Sequence, residues 1–218
     1  KVLVDISACP RFYFLAIMAT CLKTGVAKNI QFFYAEGIYP KDKKVNDYIF
    51  YEGHWTTYPI PFLEGIWNPG KRKYYLVSAG FEGVKTMRVI NIEDPDRISV
   101  LLPKPGVIPK YSSKAKEENS ELLRNIRMPQ KEIICSRAGD AIEAWMKLEK
   151  ASLEKPQSEN TYYLCSGTKP HSLALGLRAL CLGFPTVLYN VPEKHRVIDV
   201  EPSGAFWLYS IKDLSALT

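Results

Sequence analysis

The sequence predicts an α/β fold: a mostly parallel sheet with helices on both faces. Two stretches carry the prediction. Residues 2–6, 11–23 and 29–34 read as strand, helix and strand, and residues 161–165, 171–182 and 185–189 repeat the pattern near the other end. Parallel strands so close in sequence need a crossover helix between them. The third observation is that strand-like and helix-like runs keep alternating from residue 74 onward. Together these indicate a Rossmann-like arrangement.

Each element has its own local reason. Val2, Leu3, Val4 and Ile6 make a buried-strand run, and Pro10 sits near the next helix start, where proline is tolerated. The helix of residues 11–23 is apolar on most sides, which predicts heavy coverage, and Gly25 stops it. Residues 36–72 break the rhythm. They are rich in Pro, Gly, Tyr and Lys, and alternate only at 48–51. They are expected to form a long connection or small β insertion in a single domain of residues 1–218.

Strand 74–78, helix 82–91 and strand 98–102 follow, and three prolines mark residues 103–109 as a loop. Residues 114–127 suit a charged helix with Leu122, Leu123 and Ile126 as its apolar stripe. Residues 132–135 suit a short strand. Gly139-Asp140 then opens a helix expected to turn Ile142, Trp145 and Leu148 inward. After the polar linker 152–160 and the second strand–helix–strand unit, with Leu173, Leu177 and Leu180 inward, residues 205–210 read as a last strand.

Composition narrows the class. Hydrophobic residues at 46% and charged residues at 24% exclude a disordered chain. No apolar run approaches the roughly 20 residues that cross a bilayer. The chain opens on a strand-like run without an initiator Met, so a cytoplasmic protein is expected, as a processed or excised piece. Cys9, Cys21, Cys135, Cys165 and Cys181 are odd in number and lack Cys-x-x-Cys spacing, which predicts buried, reduced thiols. His54, His171 and His195 are scattered, so no metal is expected, and no cofactor motif is present. The net charge of +6 suits an anionic small ligand but is too mild to indicate binding of long nucleic acid.

In an open parallel sheet, ligands bind beyond the carboxyl ends of the strands. Three such ends carry suitable residues. Ser166, Gly167, Thr168 and Lys169 form a tight turn into a helix, whose N-terminus favours anions. Thr168 caps that helix or donates to a phosphate oxygen, and Lys169 adds a full charge. Asp5, Ser7 and Arg11 follow the first strand; there an Asp suits a ribose hydroxyl, and a Ser and an Arg suit phosphate. Gly80 and Phe81 follow the strand 74–78, the glycine for close approach and the ring for stacking or core packing. Tyr189 and Asn190 belong to the same edge. A P-loop, a dinucleotide fingerprint and a Gly-x-Ser-x-Gly elbow are all absent. Cys165 or Ser166 beside His171 has no third group to orient it, so no catalytic residue is assigned.

The run Ser166-Gly167-Thr168-Lys169-Pro170, opening an Ala/Leu-rich helix, resembles the Gly-Thr-Lys turn of CARF domains, the CRISPR-associated Rossmann-fold sensors of cyclic oligonucleotides. The related SAVED domains are built from similar units. The opening Val-Asp-Ile-Ser-Ala-Cys-Pro-Arg also looks like the first strand and loop of that defence-associated group. The resemblance covers some 25 residues and implies that Ser7, Ser166, Gly167, Thr168 and Lys169 contact the ligand. It implies a sensor of a nucleotide second messenger in antiviral defence, paired with a second copy or a larger defence complex. Many members carry a glycine where this chain has Ser166, and residues 36–72 have no counterpart in the resemblance. Two alternatives stay open. One is an enzyme acting on a nucleotide in the same cleft. The other is an interaction domain of a larger assembly, using Tyr48, Tyr51, Trp55, Tyr58, Phe62 and Trp67.

Overall fold

The computed structural model describes residues 1–27, 29–39, 51–125, 132–195 and 200–212. The elements run β1 (Val2–Asp5), α1 (Arg11–Lys23), β2 (Asn29–Ile38), β3 (Tyr51–Pro59), β4 (Arg72–Ser78), α2 (Gly83–Glu93), β5 (Arg97–Pro103), α3 (Pro109–Glu118), α4 (Ser120–Asn125), β6 (Ile133–Ser136), α5 (Ala141–Ala151), β7 (Glu159–Cys165), α6 (Lys169–Leu182), β8 (Thr186–His195) and β9 (Glu201–Lys212).

They form two sheets. The main sheet has the order β3-β8-β7-β4-β5-β6, with every neighbouring pair parallel except the edge pair β3–β8. This is the Rossmann-like arrangement. From β4 the chain moves outward through β5 to β6, then returns to the other side of β4 as β7. The strand order therefore reverses between β4 and β7, and that is where such sheets hold their ligands. The second sheet is β1-β2-β9, with β1 parallel to β2 and β9 antiparallel to it.

Burial follows strand parity. On β4, Tyr74 and Leu76 face one cluster, together with α1, α5 and α6, while Tyr75 and Val77 face another, together with α2 and α4. The first cluster also takes in Ile30, Phe32 and Tyr209 from the small sheet, so one core binds both sheets. Helices α1 and α6 approach closely because Gly176 has no side chain. A Cβ there would stand 2.6 Å from Leu15 Cδ2 and 2.7 Å from Met18 Cε. Burying each large side chain in this layer contributes about 1.5–3 kcal/mol.

The amino edge of the main sheet is fixed by charge. Arg97, at the start of β5, donates from Nε and Nη2 to the Glu159 carboxylate at 2.8 and 2.6 Å. Arg178 of α6 donates to both oxygens of Glu154 at 2.7 and 2.8 Å, and the Tyr163 hydroxyl donates to Glu154 Oε1 at 2.5 Å.

The structure redraws several expected elements. The strand–helix–strand of residues 2–34 is real, but its strands pair in the small sheet and not in the main one. The 36–72 segment supplies the end of β2 and all of β3, the antiparallel edge strand; Tyr48 lies outside the described residues. The helix expected at 114–127 is two helices, α3 and α4, and Ile126 lies outside the described residues. On α5 the buried positions are Ala141, Ala144 and Leu148, whereas Ile142 is 61% exposed. Asp140 caps that helix by accepting from the Glu143 amide. On α1, Phe14, Leu15, Met18 and Ala19 are buried, but Tyr13 and Ile17 are exposed. The small sheet covers only part of that helix. Cys165 is buried; the other four thiols are free and partly exposed.

Candidate functional site

At the reversal point, the ends of β4 and β7 touch. The Ser166 amide donates to the Ser78 carbonyl oxygen at 3.2 Å. Glycine makes the approach possible. A Cβ on Gly80 would stand 2.7 Å from the Ser166 carbonyl oxygen. A Cβ on Gly167 would collide with Ser78 Oγ and lie 2.9 Å from the Ala79 carbonyl oxygen. Asn119 steadies the β4 side, donating from Nδ2 to the Gly80 carbonyl oxygen at 2.7 Å.

The β1 loop closes over this junction. Asp5 Oδ1 accepts from the Ser7 amide at 2.8 Å, and Ser7 Oγ accepts from the Ala35 amide at 2.9 Å, which fixes the loop to β2. Arg11 then reaches across and donates to the Gly167 carbonyl oxygen, and Lys169 Nζ donates back to the Ser7 carbonyl oxygen. Two cationic side chains from different helices therefore meet at the carboxyl edge. Thr168 is the N-cap of α6: its Oγ1 accepts from the His171 amide at 3.3 Å and donates to the Ala138 carbonyl oxygen at 2.8 Å. Its hydroxyl proton is thus used within the protein. Ser166 is buried, while Arg11 and Lys169 remain half-buried. Both cations of the bend are thus engaged with backbone carbonyl oxygens of the junction.

Several polar atoms here have no partner among the described residues. They are Arg11 Nε, Ser78 Oγ and Asn190 Nδ2, all buried. Asn190 Oδ1 accepts from Thr57 Oγ1 at 2.7 Å, so half of its amide is engaged. A buried donor without an acceptor costs about 1–3 kcal/mol.

Burial lowers the Lys169 ammonium from the ordinary lysine value to about 8. Arg11 pushes it the same way, and Cys9 and Asp5 oppose the shift. Burial also lowers Lys85, with Glu82 opposing and Arg11 adding to the effect. Burial raises the Tyr189 hydroxyl, and Arg11 and the Tyr189–Arg11 hydrogen bond pull it back down. Arg11 is thus the electrostatic centre of the edge, flanked by both lysines and Tyr189.

Sequence reasoning named Asp5, Ser7, Arg11, Gly80, Ser166, Gly167, Thr168, Lys169 and Asn190, and the structure brings these to one edge. Phe81 belongs to a different cluster. Its ring packs on Tyr39 at 5.9 Å and Tyr111 at 5.4 Å, with the Lys114 ammonium 5.4 Å above it. Lys85 was missed. It is 3% exposed, 3.7 Å from Glu82, and lies over the Trp55 ring. The available signal was the Glu82–Lys85 spacing at a helix start after a glycine turn.

Nucleophilic chemistry finds no support among these groups. Burial pushes the Cys165 thiol up to about 12, which keeps it protonated. Burial lowers His171 to about 4, so its ring is neutral, with Nε2 3.0 Å from Ser136 Oγ and 3.1 Å from the Arg137 carbonyl oxygen. Among the described residues, no group of three His, Cys, Asp or Glu side chains is arranged to hold a metal, and no helix is long and apolar enough to cross a membrane. No family model and no curated protein sequence matches the chain.

Proposed function

We propose that this chain is a cytoplasmic sensor domain that binds a nucleotide second messenger, of the cyclic oligonucleotide type, at the carboxyl edge of its main sheet, in antiviral defence. The observation that supports this most is the meeting of Arg11 and Lys169 at the strand reversal, each aimed at an oxygen acceptor. A phosphate presents the same kind of acceptor with a full negative charge, and charge-assisted hydrogen bonds are about twice as strong as neutral ones. Arg11 Nε, without a partner among the described residues, supplies a further donor.

Calorimetry with a panel of cyclic di- and oligonucleotides tests the proposal. At least one member is expected to bind, and folded protein that gives no heat with any of them overturns it. Lys169→Ala is expected to weaken that binding by about 1–3 kcal/mol. The pH dependence has a defined sign. A bound phosphate returns the proton that burial discourages on Lys169, so affinity is highest below pH 8 and falls as pH rises through about 8. Binding near pH 8 should therefore take up protons, measurable in buffers of different ionisation enthalpy. Without ligand, the denatured chain holds this proton up to the ordinary lysine value, so stability rises with pH above about 8.

A second reading, an interaction domain of a larger assembly, is favoured by one observation. The small sheet leaves Leu3, Phe206 and Leu208 exposed on its outer face. A monomer on gel filtration that binds no small ligand would favour it.

A further inference from the structure

Beside the cationic edge lies an aromatic cleft that the proposed function does not use. It has a volume of about 300 Å³ and is lined by Pro10, Phe12, Tyr13, Tyr58, Tyr189 and Val191. Three elements build it. Pro10, Phe12 and Tyr13 come from the start of α1, immediately around Arg11. Tyr189 and Val191 come from β8, and Tyr58 pairs directly with Tyr189 across the antiparallel edge. Tyr13 and Tyr58 are 59% and 48% exposed, so large ring surfaces face solvent, whereas Tyr189 is buried beneath them. Phe12 and Tyr13 stand edge to face at 5.8 Å.

We infer that this cleft holds a nucleobase, stacked on Tyr58 and Tyr13, with the attached phosphate directed to Arg11 and Lys169. Tyrosine faces accept any planar base, because every base presents a π-face. The volume is at the low end for small-molecule sites, which run from about 300 to 1,000 Å³, and so suits one mononucleotide unit per chain. Charge decides between this occupant and an apolar peptide. Arg11 lies between Pro10 and Phe12 of the lining and interacts with the Tyr189 hydroxyl, and Arg11 and Lys169 cross between the Gly167 and Ser7 carbonyl oxygens beside it. An apolar side chain would leave that neighbouring cationic pair unmatched, whereas a nucleotide presents a flat ring and an anion in sequence. The inference rests on the nucleotide reading for its phosphate contact, but the ring contact stands without it.

The test uses the whole chain, with calorimetry of three probe sets: the four common nucleosides, their 5′-monophosphates, and ribose 5-phosphate. At least one nucleoside monophosphate is expected to bind more tightly than ribose 5-phosphate. Tyr58→Ala and Tyr13→Ala should each weaken it about tenfold, with ribose 5-phosphate binding unchanged. Tyr58→Phe should keep most of the affinity, because it keeps the ring. If ribose 5-phosphate binds as well as every monophosphate, the cleft holds no base, and only the anion site survives. If a nucleoside binds and ribose 5-phosphate does not, the cleft stands and the anion reading fails. Failure of every nucleoside and monophosphate to bind, or equal loss of ribose 5-phosphate in the tyrosine variants, overturns the inference.

Discussion

Glu154→Ala is expected to destabilise the protein by about 3–5 kcal/mol, measured as the shift in urea unfolding at neutral pH. Arg178 and Glu154 are almost fully buried, with side-chain exposures of 8% and 5%. Removing the carboxylate leaves a guanidinium in a low-dielectric layer without its counter-charge, and also leaves the Tyr163 hydroxyl without its acceptor. Glu154→Gln should fall between, because it keeps an acceptor but not the charge. The same pair predicts acid sensitivity. Burial alone would raise the Glu154 carboxyl, but hydrogen bonds from Arg178 and Tyr163 reverse this and hold it below the ordinary carboxylate range. Its contribution is therefore complete above that range and is lost as pH falls through the lowered native value.

Gly167→Ala is the second large effect. The added methyl group would meet Ser78 Oγ and the backbone of Ala79, and backbone cannot swing aside as a flexible side-chain end can. Relief requires β4 and β7 to separate at their carboxyl ends. Overpacking of this kind costs about 1–3 kcal/mol. The substitution should also speed hydrogen exchange at the Ser166 amide, which bonds the Ser78 carbonyl oxygen, and should weaken ligand binding, because Arg11 rests on the Gly167 carbonyl oxygen. Gly183→Ala is the control. Its φ of +73° strains an alanine, but no atom lies within 4 Å of the added group. That variant should lose some stability and leave binding untouched. If Gly167→Ala unfolds at the same urea concentration as the wild type, the close approach of the two strands is refuted.

The alternation of strands and helices was legible because it depends on local spacing. The run Thr161 to Cys165 and the turn at Gly167 state their own geometry, and the cap at Thr168 is written in the sequence. Which sheet a strand joins was not legible. Val2 to Asp5 has the composition of a main-sheet strand, yet pairing with β9 across almost the whole chain diverts β1 and β2 into a separate sheet. On α5 the expected inward positions hold at Leu148, which is buried, and at Trp145, which packs against the core, but fail at Ile142, which is exposed. Small residues at Ala141 and Ala144 allow the close packing that places them inside. The candidate site was half legible. The residues after each strand were visible, but Lys85, Tyr13 and Tyr58 join the edge only through tertiary placement. The link from Lys169 to Ser7 joins residues from opposite ends of the sequence, which no local pattern reveals.

The pairing of β2 with β9 sets an order of assembly. Ile30 lies beside Ile211, so the small sheet closes only after every strand of the main sheet has been made. Until then β2 has no partner on its β9 side, and the helix bearing Arg11 is held by its packing on α6 and by the Arg11–Gly167 and Lys169–Ser7 bonds. A nascent chain can complete the five parallel strands of the large layer while this arm is still half-built. A product cut before β9 would then keep the main sheet but lack the outer strand that completes the small one.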